Sequence, residues 1–390
     1  MVGKSKLNSA NRLKERKRRL RNVSNLIYLV SRIVFKIPNS IGKIRAINDL
    51  ACNLMIPISE AMNDESNCYV TYNLVPQYAD VQNDWLYYSG MLAKECCIVI
   101  QGALVKKNDF TLETVKYYGR IYPDVIVVIS TWENEDKGYI EKLKKEKNCV
   151  IILNKIPTIS GASNVNYQIL SSLNGAKKAA ALGKKYVLKT RSDMRITACG
   201  VFDMLCQYVN QYKISTTVKK QQQRLVLFNA FLFHPYHTSD FFCFGKCQDV
   251  ISYYDIELSK AVKEDDIADR MVADLWNYRD LYNNPCGENY ICKKYFAKLN
   301  GATTCNLHEW WSVLATYVIA LPLHVLRPLW IKYDYNHEEN NFYMTYRRQM
   351  LGGDKIDNTT VEFGMWLDMC EGRFCLDSRD YEYIVDIPMS

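Results

Sequence analysis

The stretch KYVLKTRSDMRI, residues 185 to 196, runs from an apolar strand into Arg191, Asp193 and Arg195. Two guanidinium groups around one carboxylate at a strand end admit two readings. They form a structural ion pair, or they hold a diphosphate. In the second reading Asp193 anchors a divalent ion, Mn2+ or Mg2+, while Arg191 or Arg195 clamps phosphate oxygens through its planar fork of donors. Either device neutralises charge that develops on a leaving diphosphate.

Other chemistries lose ground on their motifs. The chain has no GxGxxG, no GxxxxGK[ST], no GxSxG and, among His234, His237, His308, His324 and His337, no HExxH. Its 14 cysteines are scattered and contain no CxxC pair, so they read as reduced thiols of a cytosolic protein rather than a disulfide framework or zinc site.

The elements that would position Arg191, Asp193 and Arg195 follow from apolar periodicity. Short buried runs, CCIVIQGAL (96–104), DVIVVISTWE (124–133), CVIILNKIP (149–157) and the strand opening at residue 185, alternate with helical patterns at 111–123, 136–147 and 166–182. This β-α-β-α-β-α-β order predicts an α/β fold, a Rossmann-type mixed sheet flanked by helices. Ligands of such sheets sit at the carboxyl ends of the strands, where Gln101, Gly102, Ser130, Thr131 and residues 191–195 would gather. A helix near 201–212, a strand at 224–233, a buried FFCFG strand, a helix at 285–299 and a closing apolar segment at 316–333 complete one domain over 94–335. Residues 38–93 read as a helical or irregular lead-in, and 336–390 as an extension of unassigned role.

Charge is unevenly spread. Residues 1–36 hold eleven Lys and Arg against Glu15 alone, so the body of the chain is close to neutral. The run RLKERKRRLR leads into Leu26, Ile27, Leu29, Val30, Ile33, Val34 and Phe35, and Pro38 stops the pattern. Residues 11–37 therefore suit an amphipathic helical arm on an anionic membrane surface. A solvated basic extension leading to a helix packed on the domain fits the same residues. Nucleic acid is not an expected partner, since nothing downstream resembles a base-reading module. No stretch reaches the length of a spanning helix, and no small-residue cleavage site follows the apolar run, so a cytoplasmic protein peripheral to the membrane is expected.

The motifs CIVIQGAL, TLETVKYYGRIYPDVIVVISTWE, NVNYQILSSLNGAKKA, YVLKTRSDMRI, YHTSDFFCFG, ENY and LWIKY, in that order from Cys96 to Tyr333, resemble the WavE lipopolysaccharide synthesis family. The resemblance implies a GT-A type fold and a nucleotide-sugar donor, with TRSD in the place of the DxD motif. It also implies donor contacts at Asn166 and Gln168, beside the alternative of a plain helix cap. Two positions depart from the pattern: Arg191 stands where a first acid would, and Tyr167 where an arginine would.

Ser239 and Asp240 either face the acceptor or simply start a strand. His237 reads as a hydrogen-bonding structural residue, or one that a nearby metal could recruit. Glu288, behind Pro285 and Gly287, is the candidate base for an acceptor hydroxyl, or a first-turn acid favouring its helix dipole. Lys332 could approach phosphate or snorkel beside Trp330. The implied function is glycosyl transfer from a nucleotide sugar to a cell-surface glycan or lipid-linked glycan acceptor. A sugar nucleotidyltransferase and a non-catalytic membrane scaffold are the alternatives.

Overall fold

The computed structural model describes residues 90–261, 278–283, 285, 287–331 and 359–377. The basic arm, most of the lead-in and Lys332 lie outside the described residues.

Runs as apolar as CCIVI and IVVI must be covered on both faces, which suits the centre of a parallel sheet. Strands β1 (Cys96–Gln101), β2 (Ile126–Trp132), β3 (Cys149–Asn154) and β4 (Tyr186–Arg191) form that centre, parallel and in the order β3-β2-β1-β4. Parallel neighbours need long crossovers. These carry α1 (Phe110–Ile121), α2 (Lys137–Leu143) and α3 (Val165–Ala181). Helix α3 lies close on the sheet because Gly175 faces Val99, and a methyl at that glycine would collide with Val99 Cγ1. Ala176 and Ala179, both buried, continue the same close face.

The chain reverses direction beyond β4. Strand β5 (Met194–Ile196) leaves the sheet, α4 (Val201–Gln211) follows, and β6 (Leu225–Phe228) and β7 (Cys243–Lys246) rejoin it. Strand β7 pairs antiparallel with β4 and with β6. Helices α5 (Cys247–Tyr254), α6 (Tyr278–Asn283), α7 (Gly287–Asn300) and α8 (Leu307–Tyr317) lead to β8 (Val318–Leu321), which is parallel to β6. The result is a seven-stranded mixed sheet, β3-β2-β1-β4-β7-β6-β8, flanked by helices: the expected α/β, Rossmann-like fold.

Three local features differ from the sequence expectation. The closing segment is broken by Pro322 and Pro328 into β8, a short 3-10 turn (Leu323–Leu326) and β9 (Pro328–Trp330). Strand β9 then pairs antiparallel with β5 in a separate two-stranded sheet. Beyond the expected boundary at 335, the chain returns to the core through α9 (Phe363–Cys370). Trp366 of α9 is fully buried and donates from Nε1 to Val318 O at 2.8 Å, while Val361 N donates to Ala230 O at 2.7 Å.

Every described cysteine is a free thiol. Burial pushes Cys97, Cys149 and Cys243 up to about 12, which makes them packing groups rather than nucleophiles. Among the described residues no helix is long and apolar enough to cross a membrane.

Candidate active site

The order β3-β2-β1-β4 reverses between β1 and β4: the first two crossovers step away on one side of β1, and α3 returns the chain to the other. A crevice at the strand ends is the geometric result of such a reversal. Here the two tips are bound together. Ser192 N donates to Gln101 O at 2.9 Å, and Gly102 N donates to Ser130 O at 3.1 Å. Gly102 adopts φ +109, a conformation that favours glycine, and a methyl there would stand 3.2 Å from Ser192 Oγ.

Arg191 ends β4 and organises the crevice. Its Nε donates to Asp193 Oδ1 at 2.9 Å and its Nη2 to Asp193 Oδ2 at 3.0 Å, a bidentate pair. Nη1 donates to Asp240 Oδ2 at 2.9 Å. Register explains both partners. Lys189 pairs with Cys243 across the β4–β7 ladder, so the residues just before β7 fall beside the tip of β4. Met194 pairs with Trp330 across β5–β9, so Trp330 Nε1 reaches Asp193 Oδ2 at 3.1 Å. The guanidinium also lies over the Phe241 and Trp330 rings, 5.7 and 5.6 Å from their centroids.

Lys189, fully buried one turn of the pleat earlier, donates from Nζ to the backbone oxygen of Asp240. Burial pushes it down to about 8, although Asp240 pulls the other way. Burial alone would raise Asp193. The hydrogen bonds and charge of Arg191, with the Trp330 bond, outweigh that and hold it below the usual carboxylate range.

Beside the cluster lies a cleft of about 430 Å³ lined by Gly102, Trp132, Asn134, Glu135, Asn164 and Tyr167, at the ends of β1 and β2 and the start of α3. Trp132 and Tyr167 meet edge to face with centroids 4.8 Å apart. Glu135 is fixed in the wall by accepting from Leu104 N at 2.8 Å and Thr131 Oγ1 at 3.1 Å.

Glu288 stands in the first turn of α7. His237 Nε2 lies 3.4 Å from Glu288 Oε1, and His234 Nδ1 lies 3.3 Å from His237 Nδ1. Phe231 stacks on His234 and packs tilted against His237, with ring centroids 4.9 and 4.4 Å away. The loop that carries them is pinned by α8, whose Trp310 and Trp311 donate from Nε1 to Phe231 O and Leu232 O, each at 2.8 Å. Partial burial would raise Glu288. The His237 hydrogen bond and charge, with the charge of Arg191, bring it below its ordinary value.

The structure thus gathers Gly102, Arg191, Asp193, Asp240 and Glu288 at one end of the sheet, and adds Lys189, His237, Phe241 and Trp330. Arg195 is a correction: the turn at Ser192 and Asp193 breaks strand alternation, and the side chain is buried under α1. There its guanidinium lies between Phe110 and Tyr117, 5.0 and 5.4 Å from the ring centroids, and its Nε donates to Thr114 Oγ1 at 3.1 Å.

Asn166 is also withdrawn from the crevice. It donates to Ile159 O and Ser259 O at 2.9 and 2.8 Å and accepts from Ser259 N at 2.7 Å, clipping two loops together; Asn164, not Asn166, occupies the cap of α3. Gln101 is buried and accepts from Ser171 Oγ at 2.8 Å. Gln168 is half-buried in the first turn of α3, beside Tyr167 of the cleft. Asp240 is buried as the counter-ion of Arg191 rather than turned to an acceptor. His237, expected to be structural, sits against Glu288; the short spacing HPYH was the available signal.

The donor set does not fit a resident divalent ion at Asp193. Arg191 and Trp330 already place three hydrogen bonds on its carboxylate, and among the described residues no three His, Cys, Asp or Glu side chains gather as metal ligands.

An open α/β sheet with a charged cluster at its switch point defines a Rossmann-like fold, in which the carboxyl strand ends are the usual place for a ligand. The chain belongs to the WavE lipopolysaccharide synthesis family, whose model matches residues 96–308. That stretch runs from the first residue of β1 into α8 and includes every element of the crevice except β9. Membership ties the chain to lipopolysaccharide synthesis. No curated protein matches the chain.

Proposed function

We propose that the chain is a glycosyltransferase that moves a sugar from a nucleotide-sugar donor to a surface glycan or its lipid-linked precursor. The observation that carries this reading is the Arg191 guanidinium seated on Asp193 and Asp240 at the tip of β4, with an aromatic-lined cleft at the ends of β1 and β2 and the Glu288 carboxylate near enough to feel its charge. Each matches one part of the reaction. The Trp132 and Tyr167 faces suit a nucleoside, the Arg191 cluster suits the diphosphate, and Glu288 suits the acceptor hydroxyl.

In this mechanism Glu288 takes the hydroxyl proton while the acceptor oxygen bonds to the anomeric carbon. The bond from that carbon to the diphosphate oxygen breaks, its electron pair stays on the diphosphate, and Arg191 balances the charge that develops there. The lowered pKa of Glu288 keeps it ionised at neutral pH. A carboxylate only accepts, so His237 must donate through Nε2. When His237 is neutral its Nδ1 is then an acceptor, and His234 supplies the proton between the rings. The pair fixes the orientation of Glu288 for the hydroxyl.

The polybasic residues 11–37, outside the described residues, would hold the enzyme at an anionic membrane where a lipid-linked acceptor resides. The test is product analysis with UDP-, GDP- and CMP-sugars and lipopolysaccharide precursors. Release of a nucleoside diphosphate or monophosphate together with a lengthened glycan is expected, and Asp193→Ala, which takes away the seat of the Arg191 fork, should lower it strongly in the protein that remains folded. Release of pyrophosphate would instead identify a nucleotidyltransferase, and full turnover by Asp193→Ala would remove this site from the chemistry.

A further inference from the structure

The crevice holds two carboxylates where a divalent ion would be sought, Asp193 and Asp240, yet a guanidinium already bridges them. Asp193 already accepts three hydrogen bonds: Arg191 reaches both oxygens in a bidentate pair and Trp330 adds a second bond on Oδ2. Asp240 is buried, with Arg191 on its carboxylate and Lys189 on its backbone oxygen. Two cations therefore stand against two carboxylates, the same balance that two carboxylates and a divalent ion would give.

Arg191 still has capacity for an anion. A guanidinium carries five N–H donors, and the three bonds to Asp193 and Asp240 leave one N–H on each terminal nitrogen. The group is partly open to the crevice, with 21% of the side chain exposed, and Phe241 and Trp330 hold its plane. A fixed planar fork backed by carboxylates and aromatic rings is pre-organised for phosphate oxygens. Lys189 cannot touch a ligand from its buried place, but its charge lies behind Asp240 and offsets that carboxylate's repulsion of an anion.

We infer that this protein binds the diphosphate of its donor without a divalent ion, using the Arg191 and Lys189 cations set on Asp193 and Asp240 in the ion's place. As the glycosidic bond breaks, the electron pair it leaves on the diphosphate is balanced by charge already built into the chain. The inference rests on the transferase reading, because it needs a nucleoside diphosphate as ligand.

The test is titration of the full chain with UDP, GDP and CDP, by calorimetry and by thermal shift, in EDTA and again in excess Mn2+ or Mg2+. At least one nucleoside diphosphate is expected to bind with an affinity that differs less than about twofold between the two conditions. Arg191→Gln should weaken it by about tenfold or more, as loss of a charge-assisted fork requires. Arg191→Lys, which keeps the charge but not the fork, should fall between them and guards against misfolding of the Gln variant. The chelator comparison itself needs no variant.

Binding that appears only with added Mn2+ or Mg2+ overturns the inference and leaves the transferase reading standing. Equal binding by wild type and a folded Arg191→Gln overturns the role of Arg191. Absence of binding by all three nucleotides in both conditions overturns the inference, and the transferase reading is then judged by the sugar-transfer assay, which reads glycan lengthening directly.

Discussion

His237 Nε2 stands 3.4 Å from Glu288 Oε1, although the two residues lie 51 positions apart on a loop and on the first turn of α7. Phe231 beneath the imidazole and the two indole donors of α8 behind the loop keep that approach in place.

Glu288→Gln keeps the shape and removes the proton acceptor. Turnover is expected to fall about 100- to 10,000-fold, with nucleoside diphosphate affinity and thermal midpoint close to wild type. A variant retaining more than about a tenth of wild-type turnover would not fit a general base. His237→Asn releases Glu288 from the interaction that lowers its pKa, so the carboxylate protonates at higher pH. The acid limb of the pH–rate profile should shift upward, an effect that loss of packing alone would not produce.

Arg191→Met leaves Asp193 and Asp240 facing each other without a counter-ion. Breaking a largely buried pair in this way costs about 3–5 kcal/mol, readable in urea unfolding at neutral pH. The sign with pH is defined. In the wild type Asp193 has a depressed pKa, so its stabilisation is present above the ordinary carboxylate value and is lost as pH falls through the lowered one. In the variant burial dominates, and mild acid should narrow the deficit. A deficit that stays constant from neutral pH to mild acid would refute this account.

Lys189 gives the alkaline counterpart. Burial sets it to about 8 in the folded chain, against 10.5 for the free side chain. Between those values the unfolded chain holds the proton and the folded chain does not, so stability rises with pH across that window. The rise is about 3 kcal/mol at its limit, and Lys189→Met should remove it. Nucleoside diphosphate binding should weaken as pH rises through about 8, where the folded chain loses that charge. Overlapping stability profiles for Lys189→Met and wild type between pH 8 and 10.5 would contradict the assignment.

Trp132→Ala and Tyr167→Ala test the cleft. An aromatic face under a base contributes about 1–3 kcal/mol, so either change should weaken UDP, GDP or CDP by about tenfold while leaving inorganic pyrophosphate affinity unchanged. Equal losses for the nucleotide and pyrophosphate would place the base elsewhere.

The parallel half of the fold was legible because its strands open on apolar runs and are separated by helices with clear periodicity. Beyond β4 that signal fades. Strand β7 passes into α5 with no loop between them, Lys246 directly preceding Cys247, so the sequence marks no boundary between the two elements. Helix α8 was hidden because its LHEWWSVLATY sequence continues into β8 with no glycine or proline between them. At the site, Asp193 and Arg191 were visible as a strand-end cluster, and Glu288 as a first-turn acid. Arg195 was misplaced because its spacing presumes an unbroken strand, whereas a turn intervenes. Asp240 and Trp330 join Arg191 only through the β4–β7 and β5–β9 registers, which local patterns do not encode.

The seat of Trp366 bears on the order in which the molecule can be made. Its indole closes the interior between α8 and β8, and residues 359–361 bond to the loop that follows β6. During synthesis the parallel half can pack as soon as β4 emerges, while the β6–β8 side waits for residues far downstream. A nascent chain halted before residue 359 would carry its crevice residues already synthesised and the sheet's far edge still uncovered, which makes that side the stretch most in need of chaperone protection on the ribosome.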